Sequence, residues 1–138
     1  MFEKEQDNFY KTKMALNRQK KILIVEDERN MREALTEAFV DGGFEVLVEE
    51  DGESVADVVK EQSPDIVLLD IILPRKDGFE VLSELKEDNE TRKVPVILST
   101  NLSDPSDIQK ALDLGATTYL VKSNYSLDDI VKKVSSLA

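Results

Sequence analysis

Lys21-Ile22-Leu23-Ile24-Val25-Glu26-Asp27 is the stretch that decides the fold. An unbroken apolar run rich in β-branched residues reads as a strand buried on both faces, the kind found in the middle of a parallel sheet. Two acids follow it at once. The pattern returns as Ile66-Val67-Leu68-Leu69-Asp70. In open parallel sheets, ligands bind beyond the carboxyl ends of the strands. Glu26, Asp27 and Asp70 are therefore expected to converge. Two carboxylates about 5 Å apart repel by roughly 3 kcal/mol at an effective dielectric near 20. A chain that carries three such groups needs a cation there, or a chemistry that uses one of the acids.

Outward from these runs, a strand–helix rhythm repeats five times. The predicted strands are Lys21–Val25, Phe44–Val48, Asp65–Leu69, Val94–Ser99 and Thr118–Val121. Met31, Leu35, Ala38 and Phe39 share one face of a first helix, which Asp41-Gly42-Gly43 stops. Val55, Val58 and Val59 mark a second helix, ending before Ser63-Pro64. Val81, Leu82 and Leu85 mark a third, after Pro74 and Asp77-Gly78. Asp104-Pro105 reads as a cap and a first-turn proline. The fourth helix behind it presents Ile108, Ala111 and Leu112. Ser126 caps a fifth, striped by Leu127, Ile130, Val131, Val134 and Leu137. Five β-α units imply an α/β, flavodoxin-like doubly wound parallel sheet. The order 2-1-3-4-5 puts its switch point between strands one and three, the two that end in acid.

Composition narrows the chemistry. The 138 residues fit one domain. There is no cysteine and no histidine, so thiolate zinc, disulfides and an imidazole base are excluded, and any metal must be held by oxygen. A net charge of -11 argues against nucleic acid as a partner of this chain. No stretch approaches the length of a membrane span, and residues 1–20 lack the apolar core of a signal peptide. The cytoplasm is the expected location. Residues 1–20 read as a polar N-terminal extension, flexible or weakly helical, with scattered Phe2, Phe9, Tyr10, Met14 and Leu16.

At the ends of the strands stand, in order, Glu26-Asp27, Asp70, Ser99-Thr100 and Lys122. Together with Pro64-Asp65, with Pro74, Asp77 and Gly78 behind Asp70, with Val94-Pro95-Val96-Ile97-Leu98 and with Gly115-Ala116-Thr117-Thr118-Tyr119-Leu120-Val121, they resemble the receiver domain of two-component response regulators. The resemblance covers residues 21–138.

It implies specific roles. Asp70 is the phosphoryl acceptor. Glu26, Asp27, Asp70 and the backbone carbonyl of Ile72 hold Mg²⁺, or Mn²⁺ in its place. Lys122 pairs with the phosphoryl oxygens. Thr100 hydrogen-bonds one of them after moving inward, and Tyr119 follows, reshaping the surface of helix four, strand five and helix five. Partners implied are a sensor histidine kinase or a histidine phosphotransfer protein, and a downstream protein on that surface. The chain itself is expected to be a stand-alone switch rather than an enzyme, and a monomer or a phosphorylation-dependent dimer.

Each residue keeps a plainer reading. Glu26 can be a solvated loop acid, Asp27 a cap for the first helix, Asp70 a turn acid, Thr100 a hydroxyl bonded to its own backbone, Lys122 a surface lysine and Tyr119 a packing aromatic. Pro74, Asp77 and Gly78 read as turn chemistry.

The chain also departs from the family pattern. Ser123 follows Lys122 where the family has proline after a cis bond, and a trans bond is expected here, since cis costs roughly 2.5–4 kcal/mol before other residues. Asn101 is larger than the family's usual small residue and is expected to narrow access to the acceptor. Ile72 and Leu102, two residues past Asp70 and Thr100, cannot orient a hydrolytic water, so loss of the phosphoryl group is expected to be slow. Ile72 also argues against an aspartyl-intermediate phosphatase, which needs an acid at that position. Glu26-Asp27-Glu28 argues against a flavin module, which needs a hydroxyl- and glycine-rich loop there. A degenerate receiver that binds partners without phosphate is disfavoured by the intact acids.

Overall fold

A computed structural model describes residues 18–138. The prediction for residues 1–17 lies outside the described residues. Five strands, β1 (Lys21–Val25), β2 (Glu45–Glu49), β3 (Ile66–Leu69), β4 (Val96–Thr100) and β5 (Thr118–Val121), alternate with five helices. The helices are α1 (Arg29–Asp41), α2 (Val55–Gln62), α3 (Gly78–Glu87), α4 (Pro105–Asp113) and α5 (Leu127–Leu137). All strand pairs are parallel, in the order β2-β1-β3-β4-β5. The expected topology is the observed one.

Alternation of side chains along each strand divides the core into two layers. Ile22, Ile24, Ile66, Leu68 and Ile97 meet Leu35 and Phe39 of α1 and Ile130 and Val134 of α5. Phe39 and Phe44 meet edge-to-face there, with ring centroids 5.2 Å apart. Leu23, Val25, Val67, Leu69, Val96 and Leu98 meet Val55 and Val59 of α2, Phe79, Val81, Leu82 and Leu85 of α3, and Ala111 of α4. Being covered on both sides is why Ile22–Val25 of β1, all of β3 and Val96–Leu98 of β4 are uninterrupted apolar runs.

Several sequence boundaries shift. β2 lies one residue later than expected, at Glu45–Glu49, because Phe44 folds back into the core beside Phe39 and its N–H bonds the Phe39 carbonyl. β4 begins after Pro95, which has no N–H to give a ladder but whose carbonyl accepts from Val67 at 2.9 Å. β4 also continues through Thr100. On α4 the expected stripe is narrower: Ala111 is buried, Ile108 half-buried and Leu112 exposed. The α1 cap is Glu28, not Asp27: its carboxylate accepts from the N–H groups of Asn30 and Met31. Asp27 is thereby left free of that duty. Asp77, Asp104 and Ser126 cap α3, α4 and α5 through their side chains. No helix among the described residues is long and apolar enough to cross a membrane.

Candidate functional site

The parallel ladders bring the carboxyl ends of β1 and β3 side by side, with Val25 opposite Leu69 in register. The acids that follow are thus forced together by the sheet. Glu26 is tied by its N–H to the Glu49 carbonyl, and Asp70 by its N–H to the Val25 carbonyl. One carboxylate oxygen from each of Glu26, Asp27 and Asp70 lies within 4.8 Å of the other two. Glu26 and Asp70 are buried, while Asp27 stands exposed at the mouth.

Lys122, the first residue after β5, reaches into this cluster. Its ammonium donates to Asp70 Oδ2 at 2.8 Å and to Glu26 Oε1. The Lys122 side chain is only 11 % exposed. It makes this reach from a trans Lys122–Ser123 bond, within a short 3₁₀ turn over Lys122–Asn124. The other oxygens are also engaged: Glu26 Oε2 accepts from the Glu28 N–H at 3.3 Å and Asp70 Oδ1 from the Ile72 N–H at 3.2 Å.

The electrostatics follow from burial and pairing. Burial pushes the Glu26 carboxyl up, against the pull of Lys122, and the charge on Asp70 adds to the rise. Burial alone would lower the Lys122 ammonium, but its hydrogen bonds to Asp70 and Glu26 and their charges outweigh it, so its pKa is raised. Three carboxylates and one ammonium leave an excess of two negative charges, the charge of one divalent cation. The donors are all oxygen and include an exposed ligand that leaves room for water, as hard cations such as Mg²⁺ require. The residues fit a magnesium site.

The loop behind Asp70 is shaped by close approach. A Cβ on Gly78 would lie 2.3 Å from the Asp70 carbonyl oxygen, so only glycine lets α3 start against the Asp70 backbone. The Gly78 N–H bonds the Ile71 carbonyl at 2.8 Å. Pro74, Asp77 and Gly78 are turn and cap residues, as expected. Ile72 is 60 % exposed and touches the site through its N–H.

Thr100 is buried at the end of β4 and accepts the Leu102 N–H at a long 3.5 Å. The Tyr119 hydroxyl donates to the Leu102 carbonyl at 2.8 Å. Burial, with the charges of Asp107 and Asp70, pushes the Tyr119 hydroxyl up to about 12. One residue, Leu102, is therefore bonded to both. Ser99 points the other way along the strand, towards α1 and α5. It lines a recess of about 140 Å³ with Leu35, Ile130 and Lys122, and its buried hydroxyl has no hydrogen-bond partner among the described residues.

Sequence reasoning missed Arg32. One Nη of its guanidinium donates to the carbonyls of Glu26 at 3.1 Å and Asp27 at 3.2 Å, and the other pairs with Glu50 at 3.2 Å. A helical arginine five residues past Asp27 looks like solvent-facing charge; nothing in the spacing shows that its side chain turns back over the loop.

A five-stranded doubly wound parallel sheet carries an acid trio and a facing lysine beyond its strand ends, the arrangement of an α/β domain whose switch-point crevice fits a divalent cation. The comparisons make this specific. The sequence model of the response regulator receiver domain matches residues 22–135, and the chain belongs to that family of two-component signalling proteins. Among its relatives, a probable transcriptional regulator, ycf27, of Porphyridium aerugineum is 38% identical over 74% of this chain and 41% of its own length. The phosphate regulon transcriptional regulatory protein PhoB of Escherichia coli is 31% identical over 86% of this chain and 51% of its own. The chain thus spans about half the length of the curated relatives it matches.

Among solved structures, the chemotaxis response regulator CheY4 of Vibrio cholerae shares the fold, with a TM-score of 0.80 at 23% identity over 88% of this chain and all of that one. The receiver domain of a signal transduction histidine kinase from Syntrophus aciditrophicus matches at a TM-score of 0.77 and 30% identity, over 86% of this chain and 89% of that one.

Proposed function

We propose that Asp70 accepts a phosphoryl group from a phosphohistidine of a sensor kinase or a phosphotransfer protein, and that the chain signals in that state. The observation that carries this reading is Lys122 bridging Glu26 and Asp70 beside Asp27. A carboxylate oxygen of Asp70 forms the new bond to phosphorus as the P–N bond breaks, and the bonding pair leaves with the donor imidazole. Glu26, Asp27, Asp70 and the Ile72 carbonyl would hold Mg²⁺. When bound, Mg²⁺ offsets the negative charge that the incoming phosphoryl group meets.

This chain's own residues do the rest. Lys122 transfers its donors from the Asp70 carboxylate to the phosphoryl oxygens, supplying positive charge opposite the acids. Thr100 gives up a long contact for a short one to a phosphoryl oxygen. Because Leu102 bonds both Thr100 and Tyr119, that movement loosens the Tyr119 hydroxyl and alters the surface of α4, β5 and α5. A downstream protein reads that surface, and the expectation of a stand-alone switch belongs to this proposal. The chain is a phospho-acceptor and not a catalyst for an outside substrate.

The test is to incubate the protein with acetyl phosphate and Mg²⁺ and weigh it intact, beside Asp70→Asn. The parent should gain one phosphoryl group and the variant none. Equal labelling of both, or none of the parent, rejects the reading.

A further inference from the structure

We propose that Arg32 is a positioning residue for the acid pair, holding the Glu26–Asp27 backbone so that both carboxylates face Asp70 in readiness for a divalent cation. The inference rests on the metal reading above and goes beyond it to the residue that assembles the site.

The geometry carries it. Arg32 lies one turn into α1, yet its side chain is only 14 % exposed because it folds back across the β1–α1 loop. A single Nη spans the two consecutive carbonyls, Glu26 at 3.1 Å and Asp27 at 3.2 Å. The other Nη reaches Glu50, the residue after β2, at 3.2 Å. Glu50 is 73 % exposed, and an ion pair so wet contributes little by itself. Its use is to aim the guanidinium. The bonds that matter are those to the carbonyls.

Something must hold this loop. Asp27 is exposed and lies within 4.8 Å of two other acidic groups, so repulsion drives it outward into solvent, where nothing resists a carboxylate. Glu26 is fixed by Lys122 and by the Glu49 carbonyl on its N–H. For Asp27 the described hydrogen bond is the one its carbonyl accepts from Arg32. Lysine cannot replace the fork, since an ammonium offers no planar pair of nitrogens to span two carbonyls and a carboxylate at once.

The sign of the effect separates positioning from charge. Arg32 is a cation beside a cation site. By Coulomb's law alone, neutralising it should tighten Mg²⁺ binding. If Arg32 positions the ligands, neutralising it should weaken binding instead, by about 10–100-fold, as is common when a residue supporting metal ligands is lost.

The experiment titrates the full chain with Mg²⁺ by calorimetry, in the parent, Arg32→Met, Arg32→Lys, Glu50→Gln and, as a control on the ligands, Asp27→Asn. Amide hydrogen exchange of Asp27 and Glu28 is followed in parallel without metal. Expected are weaker Mg²⁺ binding in both Arg32 variants, a smaller loss in Glu50→Gln, and faster exchange confined to the β1–α1 loop, with cooperative urea unfolding retained. Should Arg32→Met not fold, Arg32→Lys and Glu50→Gln carry the same comparison.

Unchanged or tighter Mg²⁺ binding in the Arg32 variants overturns the inference while leaving the metal reading intact. A parent that binds no Mg²⁺ overturns the metal reading. The exchange measurement then still decides whether Arg32 holds the loop: faster exchange supports it, and exchange equal to the parent's rejects it.

Discussion

Replacing Lys122 by Met should turn the site's stored repulsion into a measurable, pH-dependent loss of stability. The ammonium sits 2.8 Å from Asp70 and in contact with Glu26, nearly shut off from solvent. At an effective dielectric near 20, each such contact is worth roughly 6 kcal/mol before the cost of taking the charges out of water is set against it. Removing the cation leaves two buried carboxylates that repel by roughly 3 kcal/mol or more at separations under 4.8 Å.

The chain has a way to limit the damage: Glu26, already pushed up by burial, can take a proton. Protonating a carboxyl of reference pKa 4.5 at about pH 7.5 costs about 4 kcal/mol, at 1.36 kcal/mol per unit. That sets the ceiling, so the expected loss is about 3–4 kcal/mol. The sign of the pH effect follows. In the variant the native state holds this proton more tightly than the unfolded chain, so stability rises as pH falls. The deficit against the parent should shrink by up to about 1.4 kcal/mol per unit on acidification towards about pH 5. Urea unfolding of both proteins in chelator, from about pH 7.5 to 5, measures it. A deficit below about 1 kcal/mol at neutral pH, or one that stays constant with acidification, would refute the argument.

The remaining predictions are these. In the parent, the raised Lys122 pKa gives stability that is fully present below 10.5 and lost as pH rises through the folded value; melting curves should show an alkaline loss that Lys122→Met lacks. Asp65, beside Arg18 and the Lys21 N–H despite partial burial, and Asp104, bonded by Ser106, both lie below 3.8, so the stability they give is present above that value and lost as pH falls below it; Asp65→Asn should flatten the acid limb of a urea titration. Gly78→Ala drives a Cβ into the Asp70 carbonyl and should cost about 1–3 kcal/mol by urea unfolding and slow phosphoryl uptake, whereas an undisturbed protein would show the 2.3 Å approach to be relieved at no cost. If Asp70 is the acceptor as proposed, apolar Ile72 and Leu102, two residues past Asp70 and Thr100, leave no side chain to orient a hydrolytic water, and the phosphorylated protein should keep its phosphoryl group for minutes or longer in Mg²⁺; loss within seconds, read by intact mass, contradicts this.

What was legible in the chain was whatever short-range pattern controls. Buried parallel strands must be apolar on both faces, so β1 and β3 announce themselves, and crossover rules then leave few arrangements, of which the common five-strand order β2-β1-β3-β4-β5 is the one observed. The acids after those strands had to meet because parallel register places Val25 beside Leu69. Lys122 was legible from its place after β5. The capping of α1 was not: Asp27 and Glu28 are adjacent acids, and which of them turns back onto the helix depends on the loop's path. Nor was the exposure of Leu112, since an apolar residue at helical spacing finds cover only if a neighbouring element stands opposite.

The chain alone therefore determined the five strand–helix units and which acids, hydroxyl and lysine share one end of the sheet, and it narrowed the strand order to a few, because strand burial and handed crossovers act through local periodicity. Only the folded molecule decided that Lys122 bridges Glu26 and Asp70, that Leu102 joins Thr100 to Tyr119, and that Arg32 reaches back to grip the acid loop. Those are contacts between residues far apart or on different elements, whose distances depend on how whole elements pack, and no periodicity in a single segment records them.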